Sequence, residues 1–368
     1  MPSPGLHDTA PLRGSALTGR NIGCRRRVAV KVNDAIPSLS VLDLVPVRHV
    51  QTSAQAVSAA LDLVERADRL GYRRYWFAEH HNMPSVASTT PPVLIAAAAA
   101  RTSRIRVGSG GVMLPNHSPL VIAEQFGTLA ALLPGRVDLG LGRAPGTDMR
   151  TARALRRNLD AGAENFPHDI VELQRYLGAP EPDQAILAVP GVNSNVPIWL
   201  LGSSIYSAHL AAALGLPYSF ASHFAPDMLM DAIAIYRERF QPSATLSEPY
   251  VMVGIMGVGA DTDEEARHLF TSAQQQFVNL RKNVRTPFPR PVESMDGYWN
   301  DMERITVEHT LRYAAVGSHA TIDRKLQQFL GETGADELIV SMPIHDINKR
   351  LRSVEVFADV RNGVKKAA

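Results

Sequence analysis

The chain has 368 residues, a formal net charge of +2 and a single cysteine, Cys24. That length suits one large domain or two ordinary ones. The scattered Lys and Arg residues form no basic stripe of the kind that grips nucleic acid, no apolar run is long enough to span a bilayer, and a lone cysteine excludes an internal disulfide framework and a cysteine-built metal site.

Residues 1–37 stand apart from the rest. They carry Pro2, Pro4, Pro11, Gly5, Gly14 and Gly19 and the run Arg25-Arg26-Arg27, without the apolar stretch of a secretory signal. An Arg-rich, acid-poor segment also fits a transit peptide. A flexible amino-terminal extension is the simpler reading, with the folded part over 38–368 and a cytoplasmic location.

The first strand is expected at Leu39–Leu44, stopped by Pro46. Ala56, Val57, Ala60, Leu61, Val64, Ala67 and Leu70 then recur at helical spacing, and Gly71 ends that helix. A second strand spans Arg74–His80, and a helix contains Val93–Ala100. A third strand spans Ile105–Met113. Ser118-Pro119 opens the next helix as cap and first-turn proline, and it runs to Leu133. Val137–Gly142 is the fourth strand.

Prolines break up residues 144–195, leaving helical patches at 150–160 and 168–177. Strands at Pro197–Leu201, Tyr218–Ser222, Tyr250–Val258 and Glu337–Met342 complete the set. Helices follow them at Ser204–Leu214, at Pro226–Phe240, from Asp261 and at Asn348–Val360. A further helix covers Thr321–Leu330, after a proline-rich excursion at 282–300. Eight strands, each followed by a helix, predict an α/β fold, a (β/α)8 TIM barrel with excursions after strands 4 and 7. A doubly wound open sheet is the alternative. No G-x-G-x-x-G follows the first strand, which weakens its dinucleotide-binding form.

Chemically loaded residues gather where the strands end. Glu79-His80-His81 ends the second strand. Side chains alternate along a strand, so one histidine of the pair, His80, is expected to face the barrel axis. A lone inward histidine suits acid–base work better than chelation; capping of the strand by backbone bonds is the plainer possibility. Gly108, Gly110 and Gly111 end the third strand, where a flat ligand could approach the backbone or the chain could simply turn. Arg143 ends the fourth and can reach an anion at the barrel mouth or pair with a helix carboxylate. Gly202-Ser203-Ser204-Ile205-Tyr206-Ser207 opens a helix with free N–H groups and hydroxyls, good for phosphate or for capping. A phosphorylated planar cofactor unites these features.

The segments SVLDLVPV, YWFAEHHNMPSVAS, ARTSRIRVGSGGVMLPNHSPLVIAEQFGTL, PGRVDLGLGRAPGTD and PIWLLGSSIYSAHLAAALGLPYSFASHF, spread over residues 38–360, resemble the bacterial luciferase-like flavin-dependent monooxygenases. They are most similar to the single-chain branch with EHHNMP and GRAPGTD signatures. The resemblance implies a barrel that binds reduced FMN (FMNH2) and uses O2, through a C4a-hydroperoxyflavin, to oxygenate a small organic substrate. His80 matches the active-site histidine, with Glu79 beside it at the cofactor. Gly110-Gly111 matches a non-prolyl cis peptide under the flavin ring. Arg143, Ser204 and Ser207 match phosphate-binding positions. Ser203 stands at a glutamate position, Gly142 at a cysteine position near the flavin, and Pro145 at a leucine position beside the ring, so substrates other than long-chain aldehydes are expected. Phe288 and Trp299 fall in a region that is a mobile lid in luciferase.

The resemblance also implies a separate flavin reductase as partner, since no nicotinamide motif is visible, and a homodimer built on Ala96–Ala100 and Leu120–Leu133. Three rivals remain open: an F420-dependent hydride-transfer oxidoreductase of the same superfamily, a non-catalytic flavin-binding partner subunit, and a metal-dependent barrel hydrolase using His80, His81, His117 and His223.

Overall fold

A computed structural model describes residues 36–144, 147–155 and 164–364. The extension expected over 1–37 therefore lies almost wholly outside the described residues, as do Pro145 and the end of the helical patch at 150–160.

Eight parallel strands close into a barrel. They are β1 (Ser38–Asp43), β2 (Arg74–Phe77), β3 (Arg106–Met113), β4 (Val137–Gly142), β5 (Ile198–Gly202), β6 (Tyr218–Phe220), β7 (Val251–Gly259) and β9 (Glu337–Ser341). Each pairs with the next, and β9 joins β7 to β1 to complete the ring. A three-residue strand, β8 (Ala315–Gly317), adds to the far end of β7 outside the ring.

Helices wrap this cylinder: α1 (Ser53–Arg69), α2 (Pro91–Ala100), α3 (Pro119–Leu132), α4 (Met149–Leu155), α5 (Phe166–Leu177), α6 (Ile205–Leu214), α7 (Leu229–Arg239), α8 (Asp263–Arg281), α9 (Asp301–Thr310), α10 (His319–Thr333) and α11 (Ile347–Arg361). Local chemistry sets their ends. Thr52 and Gln55 form a capping box at α1. Gly215 and Gly334, both left-handed, terminate α6 and α10. None of these helices is long and apolar enough to cross a membrane.

The barrel interior is layered. At the amino-terminal end, Arg74 donates to Asp138 at 2.8 Å and to Glu337 at 2.9 Å, and Tyr250 donates to Glu337 at 2.9 Å. Burial opposes a charge on Arg74, but the two carboxylates more than offset that and raise its pKa. Above this plug lies an apolar layer of Leu42, Trp76, Trp199, Met252 and Ile339. Higher still, the inward positions become glycine. A Cβ on Gly110 would fall 2.6 Å from Leu42 Cδ1, and one on Gly254 would fall 2.5 Å from His223 Nδ1. Bulk below and glycine above leave a space at the carboxyl ends of the strands, where barrel sites form.

Candidate functional site

That space is a cavity of about 880 Å³, walled by the loops after β1, β2, β4, β5, β6 and β9, by α8 and by the segment that follows α8. Its lining is mostly apolar, including Met83, Val86, Met113, Phe277 and Phe288.

The alternation expected for the histidine pair does not extend that far. β2 ends at Phe77, so His80 and His81 lie beyond the pleat, and both rings line the cavity. The His80 amide bonds to Ser88 O at 3.0 Å, which fixes the loop. Glu79, expected at the cofactor, is buried and is not among the residues lining the cavity. Its Oε1 lies 2.8 Å from Nε2 of both His81 and His117, and its Oε2 accepts from the Met113 amide at 3.0 Å. Burial alone would raise the Glu79 pKa, but the bonds from His117 and His81 pull it down to about 2. Glu79 therefore stays ionised behind the wall and ties the β2 and β3 loops together. His81 and His117 both spend a ring nitrogen on it, and among the described residues no three His, Cys, Asp or Glu side chains converge as a metal would require.

The glycine run is strand rather than turn. Gly110–Gly111 is a cis peptide within β3, and the register to β4 shifts between Gly110 and Val112. A Cβ on Gly111 would fall 2.7 Å from Gly140 O, so backbone meets backbone here. Gly110 and Gly111 present a flat, side-chain-free surface to the cavity.

Arg143 leaves the end of β4 exposed at the mouth. Its guanidinium stacks on Tyr206, 4.1 Å from the ring centre. The salt bridge weighed as an alternative is not formed: among the described residues no carboxylate pairs with Arg143. Ser204 is the amino-terminal cap residue of α6, yet its hydroxyl makes no capping bond. The hydroxyls of Ser203 and Ser204 thus have no partner among the described residues, and both line the cavity. Ser207 is buried one turn on, its Oγ 2.9 Å from Ser204 O and 3.1 Å from Tyr218 Oη, holding the turn shut. Gly202 is needed there, because a Cβ would overlap Ser207 Oγ. Pro145 lies outside the described residues.

The resemblance puts Phe288 and Trp299 in a lid-like region, but does not supply the contacts that close the second wall. Phe288, buried and lining the cavity, is pinned by its amide to Val47 O at 2.8 Å. Trp299 is not among the lining residues and packs against the cluster of Met256, Val307 and Leu311. Arg285 joins Asp148 at 3.0 Å, and Asp148 also accepts from Asn82 at 3.2 Å, so three loops meet over the mouth. Single polar residues in loops carry no periodic signal that would have found this clasp.

A closed parallel barrel with a glycine-floored cavity, three lining histidines (His80, His81 and His223) and an anion-ready corner defines a class of enzyme-like barrels, and comparison narrows it. A family profile described as luciferase-like monooxygenase matches residues 39–337, and the chain belongs to that family. A luciferase-like monooxygenase of Escherichia coli (strain K12) is 50% identical over 330 residues, covering 90% of this chain and 98% of that protein. Among solved structures, apo-MsnO8 superposes with a TM-score of 0.79 at 32% identity, covering 90% of this chain and all of that one. Two more distant structures share the fold. The oxygenating constituent of a 3,6-diketocamphane monooxygenase from Pseudomonas putida, in complex with FMN, has a TM-score of 0.69 at 19% identity, covering 90% of this chain and 100% of that one. An F420-dependent secondary alcohol dehydrogenase has 0.62 at 13%, covering 90% of this chain and 99% of that one. The family and the Escherichia coli relative support an oxygenase.

Proposed function

We propose that the chain is an FMN-dependent monooxygenase. It takes up FMNH2 from a separate flavin reductase and uses it with O2 on a small organic substrate. Bound FMNH2 would supply the two electrons of the reaction, one oxygen atom entering the substrate and the other leaving as water. Arg143, Ser203 and Ser204, with the first N–H groups of α6, would hold the phosphate, and Ser207 would keep that turn in shape. Gly110-Gly111 would underlie the ring. His80 would donate or accept a hydrogen bond at the reacting end, while the apolar wall around Phe277 and Phe288 excludes water.

The observation that carries the cofactor choice is the state of the cavity arginines. Arg281 donates to Thr310, Arg285 pairs with Asp148 and Arg350 pairs with Asp43. Arg143 alone among them has no carboxylate or hydroxyl partner among the described residues. One available cation and one serine turn suit a single phosphate group, whereas the longer acidic tail of F420 would want more. Exposed Val93 on α2 and Val121 and Leu132 on α3 support a homodimer through that face. A cytoplasmic setting agrees with the lone cysteine.

Anaerobic titration with FMNH2 and with reduced F420 is the test. Binding of FMNH2 and not of F420 is expected; preference for F420 overturns the assignment. Substrate-dependent oxygen uptake with a reductase present separates an enzyme from a non-catalytic flavin-binding subunit.

A further inference from the structure

His223 follows β6, and its ring enters the barrel where β7 carries Gly254. A Cβ on Gly254 would fall 2.5 Å from His223 Nδ1 and 3.2 Å from Cε1, so only glycine seats the ring there. The ring of Phe224 packs edge-on at 4.9 Å. Nδ1 is buried and has no hydrogen-bond partner among the described residues. Among the described residues none bonds Nε2 either, and the ring lines the cavity.

The buried nitrogen decides the tautomer. A neutral imidazole has one N–H and one lone pair. A buried N–H without an acceptor is rarer than a buried acceptor without a donor. Nδ1 against Gly254 therefore holds the lone pair, which leaves the hydrogen on Nε2. Burial, helped by the charge of nearby His80, lowers the His223 pKa to about 4, so the ring is neutral near pH 7. A neutral donor adds direction to an apolar wall without the desolvation cost of a cation. An anionic ligand would be better served by Arg143.

We propose that His223 is a substrate-positioning residue that donates Nε2–H to an uncharged oxygen acceptor, a carbonyl or ether oxygen, on the organic substrate. The proposal rests on the reading of the cavity as a substrate site. It gives β7 a reason to carry Gly254 and the β6 loop a reason to place a polar ring in an apolar wall.

The test uses the full chain labelled with [15N]histidine and contains no flavin, so its failure is distinct from failure of the FMN assignment. Long-range 1H–15N spectra between pH 5.5 and 8 are expected to show His223 as the Nε2–H tautomer. Cyclohexanone should shift that nitrogen, and cyclohexane should not. Losing one neutral hydrogen bond weakens binding about fivefold. That loss is expected for the ketone in His223→Asn and His223→Phe, but not in His223→Gln, whose amide nitrogen stands near the imidazole Nε2 position. An Nδ1–H tautomer, equal response to both compounds, no response to either, or full ketone affinity in His223→Phe each overturns the proposal.

Discussion

The guanidinium carbon of Arg143 lies 4.1 Å from the centre of the Tyr206 ring. That stack joins the end of β4 to the first turn of α6, and so holds the cation beside the Ser203-Ser204 turn. A cation–π contact at an exposed site contributes about 0.5–1 kcal/mol. Tyr206→Leu should therefore weaken FMNH2 binding about two- to fivefold, and Tyr206→Phe should not. Anaerobic fluorescence titration checks this. Equal affinity in Tyr206→Leu would show that the stack does not orient the arginine.

Much of this fold is legible in the sequence, because barrel strands buried on both sides read as apolar runs and the helices between them carry caps and periodicity. β4 at Val137–Gly142 matches its expected bounds. What failed, failed where periodicity ends. The apolar run predicts β2 through His80, yet the pleat stops at Phe77, so alternation does not say which histidine faces inward. α9 followed a proline-rich stretch and went unnoticed, and β8, three residues long, is too short to show a pattern. Glu79 reads as part of a site motif, but its partner His117 is distant in sequence and close only in the fold. His223 carried no signal beyond its type; its meaning comes from Gly254 on another strand.

Gly110 should not tolerate a side chain. A Cβ there would fall 2.6 Å from Leu42 Cδ1 and 3.0 Å from Trp76 Cβ, both inside the packed barrel layer. Overpacking of this kind costs about 1–3 kcal/mol. Gly110→Ala should lower stability by that amount in urea unfolding and also weaken flavin binding. Gly135→Ala, where no atom lies within 4 Å of the added carbon but φ is +74°, tests backbone strain alone. Stability unchanged in Gly110→Ala would contradict the packing account.

Acid should weaken the site through Glu79. Its folded pKa of about 2 lies below the ordinary 4.5, so its contribution is fully present above pH 4.5 and is lost as pH falls toward 2. A depression of that size corresponds to about 3 kcal/mol. His223 acts in the same direction, because its folded pKa of about 4 lies below the ordinary 6.5 and the unfolded chain binds its proton first. Unfolding free energy measured from pH 7 to pH 3 should fall, and Glu79→Gln should be less stable at pH 7 with a flatter acid limb. Parallel pH curves for the two proteins would rule Glu79 out as the cause.

Asp148 links three loops at the mouth, accepting from Asn82 at 3.2 Å and from Arg285 at 3.0 Å. Exposed pairs of this type hardly alter global stability. Asp148→Ala should leave the melting temperature unchanged but speed amide exchange in residues 282–290 and in the loop after β2. Protection equal to wild type in both segments would mean that the clasp does not restrain them.

The account turns on a flavin phosphate at Arg143, and a four-way affinity comparison tests it most directly. Wild type and Arg143→Ala are titrated anaerobically with FMNH2 and with reduced riboflavin, which lacks the phosphate. A charge-assisted bond of this kind corresponds to roughly a tenfold or larger effect. Wild type should prefer FMNH2 by that margin, Arg143→Ala should lose the preference, and the two proteins should bind reduced riboflavin alike. Undiminished preference for FMNH2 in Arg143→Ala would contradict the account.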